Sequence, residues 1–171
     1  DETMKQALQP MRVAPLVTRL VAEHDTPEAV LSALAQETGL DAFDRNADDL
    51  VRRAGGKPVR VASKSLRVPA LISRVLSREG FAGVLGYTLA EALWLHDAGI
   101  SDDIVVAYPS VDRAALATLT SHVDAAAAIT LMVDNQAHLD VIAAARRGDV
   151  QVRVCLDVDA GLRLGGQVVG P

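Results

Sequence analysis

Aromatic side chains make up only 3% of this chain, so its core has to be built from Ala, Val and Leu rather than around rings. Cysteine occurs once, at Cys155, which excludes an internal disulfide framework and any cysteine-rich zinc site. No basic run exceeds two residues (Arg52-Arg53, Arg146-Arg147), and the formal net charge is -5. The cationic footprint that a phosphate backbone demands is therefore missing, and nucleic acid is not an expected partner. No apolar run approaches the ~20 residues that span a bilayer. The opening Asp1-Glu2-Thr3-Met4-Lys5 has neither the basic start nor the apolar stretch of a secretory signal. The expectation is a cytoplasmic protein with no membrane partner. Lysine is scarce as well: of the 17 basic residues only Lys5, Lys57 and Lys64 are lysines, so chemistry that needs an amine has few places to sit.

What is present is a chain of 171 residues, half of them hydrophobic, enough for one domain with a sizeable core. Residues 1–40 read as a helical segment. Leu16, Leu20 and Val21 recur at helical spacing, and Thr26-Pro27-Glu28 reads as an N-cap followed by proline at the first helical position. Asp41 is placed to cap a further helix with a stripe of Phe43, Ala47, Leu50 and Val51, ended by Gly55-Gly56.

From there a repeat begins. Short β-branched runs at Val59–Ser63, Phe81–Gly86, Ile104–Ala107, Ile129–Val133 and Val152–Val158 alternate with Ala/Leu-rich stretches at 69–78, 88–98, 111–122 and 136–147. The second stretch carries Leu89, Leu93 and Trp94, and the fourth Leu139, Ile142 and Ala143. Gly80, Gly99 and Gly148 sit just past helix ends, where a left-handed residue is often needed. Strand–helix alternation of this kind predicts parallel strands with right-handed crossovers. The near-constant interval favours a (β/α) barrel over an open doubly wound sheet. Five strands do not close an eight-stranded barrel of ~250 residues, so the fold class is α/β: a partial TIM-type barrel of about five βα units over 41–171.

In parallel α/β folds the site lies at the carboxyl ends of the strands. Those ends read Ser63-Lys64-Ser65, Tyr87-Thr88, Tyr108-Pro109-Ser110, Asp134-Asn135 and Asp157-Val158-Asp159. Lys64 follows an apolar strand, where desolvation and nearby cations such as Arg60 or Arg67 lower an amine's pKa. A neutral amine attacks a carbonyl and holds it as a Schiff base. The alternative is a solvated loop lysine that closes strand one. Arg163 follows Asp159-Ala160-Gly161 and could reach back to an oxyanion or simply pair with Asp157 or Asp159. Two carboxylates without a third ligand make a weak metal signal. His96, His122 and His138 fall in or at the ends of helices and read as structural, and Cys155 reads as a small core residue.

Four blocks occur in an order that resembles one family: Asn46-Ala47-Asp48-Asp49-Leu50, Arg60-Val61-Ala62-Ser63-Lys64-Ser65, Gly86-Tyr87-Thr88-Leu89-Ala90-Glu91-Ala92 and Asp157-Val158-Asp159-Ala160-Gly161-Leu162-Arg163. Over about residues 41–166 the chain resembles the alanine racemase N-terminal domain superfamily, and within it the D-threonine aldolase / D-serine dehydratase-like branch, which includes amino acid deaminase/aldolase proteins. The resemblance implies a pyridoxal-phosphate (PLP) barrel followed, in the family, by a C-terminal β domain that supplies part of the substrate pocket and binds a divalent metal. Carried over by residue, Lys64 matches the lysine that forms the internal aldimine. Arg60 matches the arginine four positions before it, and Arg163 the arginine that contacts the cofactor's phenolic oxygen, at a spacing one residue shorter. Tyr87 and Thr88 fall where the second strand's top meets the cofactor.

The function so implied is a PLP-dependent lyase acting on small hydroxy amino acids, of D configuration, by dehydration and deamination or by retro-aldol cleavage, in a homodimeric full-length protein. The alternatives are a non-catalytic PLP-binding protein of the homeostasis type and a PLP-dependent amino acid racemase. The chain stops after the fifth strand, so the further expectation is a fragment that is inactive alone and that aggregates or dimerises through exposed strand edges.

Overall fold

In the first four strands of the parallel sheet alternate residues bury one face, and the fifth is exposed throughout. The computed structural model describes residues 13–27, 29–30, 33–34, 40–147, 149–158, 162–164 and 167–169. The chain divides into two compact units, Asp1–Gly55 and Gly56–Pro171.

In the first unit α1 spans Val13–Glu23 and α2 spans Leu40–Ala54. Thr26 caps as predicted: its hydroxyl accepts the Ala29 N–H at 3.2 Å. α2 starts one residue earlier than its expected cap, so Asp41 lies in its first turn, where a carboxylate suits the helix dipole. Ala47 is buried on this helix, while Leu50 is exposed.

The second unit follows the strand–helix repeat: β1 (Val59–Ala62), α3 (Ser63–Leu66), α4 (Pro69–Leu76), β2 (Phe81–Gly86), α5 (Leu89–Asp97), β3 (Ile104–Val106), α6 (Arg113–Leu119), α7 (Val123–Ala128), β4 (Ile129–Val133), α8 (Gln136–Ala145) and β5 (Arg153–Leu156). All four strand pairs are parallel and the sheet order is β1-β2-β3-β4-β5. An order that never reverses, with crossovers of one hand, keeps every crossover helix on the same face. A doubly wound sheet needs a reversal, so this is the partial TIM-type arrangement. Val84, Ile104 and Ile129, in register, are fully buried on the helix face, as are Val106 and Leu131 one pleat on. The opposite face carries Ala62, Leu85, Val105 and Thr130 in register; the first three are half-buried.

Five readings change. Cys155, expected in the core, is exposed on β5. Ser63 does not end β1; it turns inward and starts α3. The single helix expected over 111–122 is α6 followed by a separate α7, because the alanines of 123–128 pack against β4 and run straight into it. Trp94 is 53% exposed, since α5 buries Leu89, Ala92, Leu93 and Leu95 instead. Leu162–Leu164 and Gln167–Val169 form an antiparallel two-stranded ribbon, β6-β7, which the pattern did not predict. Gly80 and Gly99 take the expected left-handed conformation at φ +94 and +66. Gly148 and the Asp159-Ala160-Gly161 turn lie outside the described residues. Among the described residues, no helix is long and apolar enough to cross a membrane.

Candidate active site

The three strand tops of β1, β2 and β3 converge on Lys64. β1 breaks at Ala62 into the four-residue turn α3, whose last hydrogen bond runs from Arg67 N–H to the Ser63 carbonyl at 2.9 Å. Arg67 closes the turn at φ 44, a left-handed conformation unusual for a residue with a side chain. Its Nε donates to the Lys64 carbonyl at 3.1 Å. Lys64 is exposed. Its Nζ lies 5.2 Å from the centroid of the Tyr87 ring and 5.8 Å from that of Tyr108. The two rings meet edge to face, 6.0 Å apart at 88°, and the Arg67 guanidinium lies 5.6 Å from the centroid of the Tyr87 ring. These are the only two tyrosines in the chain. Each follows the carboxyl end of its strand, so both rings collect where parallel α/β folds place their chemistry.

Tyr87 is set by the start of α5. Thr88 caps that helix, accepting the Glu91 N–H at 3.1 Å. Glu91 stands where a Thr-x-x-Glu capping box has its glutamate, but its carboxylate reaches past the cap residue. One oxygen, Oε2, accepts the Tyr87 N–H at 2.8 Å and the Ser63 hydroxyl at 2.7 Å. Beside the tyrosines a cleft of about 370 Å³ is lined by Tyr87, Thr88, Tyr108, Pro109, Ser110 and Asp112, within the size range of small-molecule sites.

Arg60 is not brought to this cluster. Its Nη2 donates to the Asp103 carboxylate at 2.8 Å and its Nη1 to the Asp103 carbonyl at 3.3 Å. Asp103 immediately precedes β3, so the pair sits toward the opposite end of the sheet from Lys64. The contact crosses β2 at a bulge, where Ala82 and Gly83 stand opposite Arg60 alone. Arg163 lies on β6 opposite Val168. The backbone N–H of Asp157 donates to the Val133 carbonyl at 2.8 Å; Asp159 is outside the described residues. His138 Nδ1 lies 2.9 Å from the Asp134 carboxylate, and His96 Nε2 lies 3.7 Å from that of Asp124. Among the described residues no group of three His, Cys, Asp or Glu could hold a metal ion.

The sequence put Tyr108 at the end of strand three and Arg67 near Lys64 without a role for either, and gave no sign of the tie from Glu91. Tyr108 carried a usable signal, a rare aromatic just past a strand. The role of Glu91 depends on a partner 28 residues away.

The donor set fits an aromatic aldehyde such as PLP at its aldehyde and ring. A primary amine without a hydrogen bond or ion pair among the described residues stands against two ring faces, whose tyrosines also line a cleft. No curated protein matches the chain. A family model described as alanine racemase, N-terminal domain, matches residues 39–169, from just before α2 to the end of β7. With that match over most of its length, on a parallel sheet with a lysine two residues past its first strand, the chain belongs to the alanine racemase N-terminal domain family, whose barrels bind PLP.

Proposed function

We propose that this chain is the cofactor-holding part of a PLP-dependent lyase that acts on small hydroxy amino acids of D configuration, by dehydration and deamination or by retro-aldol cleavage. The observation that carries the reading is Lys64 Nζ at the carboxyl end of β1, flanked by Tyr87 and Tyr108. The choice of substrate is supported by the Arg60–Ser65 and Gly86–Ala92 blocks and by the modest size of the adjoining cleft. On the same reading the full-length protein is a cytoplasmic homodimer, and any divalent metal is held outside this chain.

Each residue has a part. Lys64 would hold the aldehyde, since its amine is the nucleophile at this end of the sheet. When bound, PLP supplies an electron sink for bonds broken at the substrate's α-carbon. Tyr87 and Tyr108 flank the amine and would present ring faces to a bound aldehyde. Lys64 Nζ, in its neutral form, accepts a proton, and the phenol hydroxyls of the two tyrosines are further proton-bearing groups in reach of the same space. Arg60 and Arg163 are further proposed as cofactor contacts; for Arg60 this requires release from Asp103.

The test is to add PLP to the chain, follow the visible absorbance, reduce with borohydride and map the modified peptide. The adduct is expected on Lys64 and absent from Lys64→Ala. A Lys64→Ala protein that keeps the absorbance overturns the proposal. With the full-length protein, D-threonine and D-serine distinguish the chemistries. Glycine plus an aldehyde marks cleavage; a keto acid plus ammonia marks dehydration. Interconversion of enantiomers marks a racemase, and binding without turnover marks a non-catalytic carrier.

A further inference from the structure

Lys64 sits in a turn too short to orient itself. α3 has four residues and one closing backbone hydrogen bond, and so small a helical segment has no stability of its own. Its direction must come from side-chain ties. At its end, Arg67 Nε holds the Lys64 carbonyl. At its beginning, Ser63 is 1% exposed and its hydroxyl donates to Oε2 of Glu91 at 2.7 Å. Among the described residues the other acceptor near that hydroxyl is the Leu85 carbonyl at 3.4 Å.

A glutamate that merely completed a capping box would return to the N–H of the cap residue itself. Glu91 instead passes over Thr88 to the N–H of Tyr87 and across to β1. One carboxylate oxygen therefore bridges the residue before Lys64 and the backbone of the aromatic that flanks it. Hydrogen bonds to an ionised acceptor are short and strong. We propose that Glu91 is a positioning residue for Lys64. By tying the end of β1 to the start of α5 it fixes the distance and angle between the amine and the Tyr87 ring, and so presents the amine to an incoming aldehyde. The inference rests on Lys64 being the aldehyde-holding amine.

The experiment uses the whole chain, PLP as the probe and borohydride trapping, with adducts at Lys64 and Lys57 counted by peptide mass. Lys57 is exposed and outside the cluster, so it is an internal reference for solution reactivity. The wild type is expected to label Lys64 well ahead of Lys57. Glu91→Ala should slow trapping at Lys64 roughly ten- to a hundredfold, the scale on which small misplacements act, and leave Lys57 unchanged. Glu91→Gln keeps an oxygen able to accept both hydrogen bonds and should restore the rate to within a few-fold. Ser63→Ala removes one arm of the same bridge, so combining it with Glu91→Ala should add little beyond Glu91→Ala alone. Equal Lys64-to-Lys57 ratios in wild type and Glu91→Ala overturn the inference. If Glu91→Ala does not fold, an unchanged ratio in Ser63→Ala does the same. A wild type that shows no preference for Lys64 removes the cofactor reading itself, a different result from a preference that survives the mutations.

Discussion

At the scale of single residues, the backbone at Gly83 is as demanding as the amine at Lys64. Gly83 has φ +76 at the bulge of β2, and an added Cβ would run into Arg60 Nη1 and the Asp103 carbonyl, and lie 2.8 Å from Asp103 Oδ2. A side chain there meets a left-handed conformation and an occupied space together. Gly83→Ala is expected to destabilise by about 1–3 kcal/mol, read as a lower midpoint in urea with an unchanged slope. A midpoint equal to wild type would show that the bulge relaxes freely. Arg60→Ala is the contrasting case. Its ion pair with Asp103 is more than a third exposed on both sides, so the loss should stay within ~1 kcal/mol. Neither effect is legible in sequence, where Gly83 is one glycine in an apolar run and Arg60 reads as a partner of Lys64.

The elements owe their ends to polar side chains that the sequence shows plainly. Thr88, Asp112 and Asn135 each accept backbone N–H groups at the start of α5, α6 and α8. Asp112 serves two, those of Ala114 and Ala115, both at 3.0 Å. Asp112→Ala should cost about 1 kcal/mol, with the loss seen as a lower melting temperature and reversed by Asp112→Ser. α7 offers a pH test. The Asp124 carboxyl is held below the usual carboxylate range, chiefly by the Ala125 N–H, then by its own N–H and by neighbouring His96. A depressed folded-state pKa means that the stabilisation is full above the ordinary carboxylate range and is lost as pH falls through the depressed value. Asp124→Asn should therefore remove part of the acid-side decline in stability and leave the neutral-pH slope unchanged; identical pH profiles would count against this assignment. The helix itself was not foreseen, because Val123–Ala128 carries no periodic stripe and is decided by burial of Ala125, Ala126 and Ala128.

For the second unit as a whole, the sheet is decided by order. Each strand neighbours the next, which is what short, right-handed βα connections produce. Among the described residues β5 pairs with β4 alone. The side chains at its end are uncovered: Leu156 is 67% exposed and Val158 66%. Such an edge is a template for a second copy. The 171-residue chain is expected to associate reversibly with rising concentration, and Leu156→Lys to reduce that association, as seen by sedimentation velocity. A chain that stays monomeric across the range would show that the edge is protected.

Alternation of β-branched and Ala/Leu-rich segments, helix caps and the Lys64 block were all present in the sequence, because each is a local pattern of period, cap chemistry or short motif. That was enough to predict a parallel α/β architecture and an amine at the end of its first strand. The convergence of Tyr108 and Tyr87 on that amine, the bridge from Glu91 to Ser63 and the diversion of Arg60 to Asp103 were decided only in three dimensions. Each joins residues 20 or more positions apart, and which long-range partner wins depends on strand register and on the bulge at Gly83, neither of which is written in any single stretch of chain.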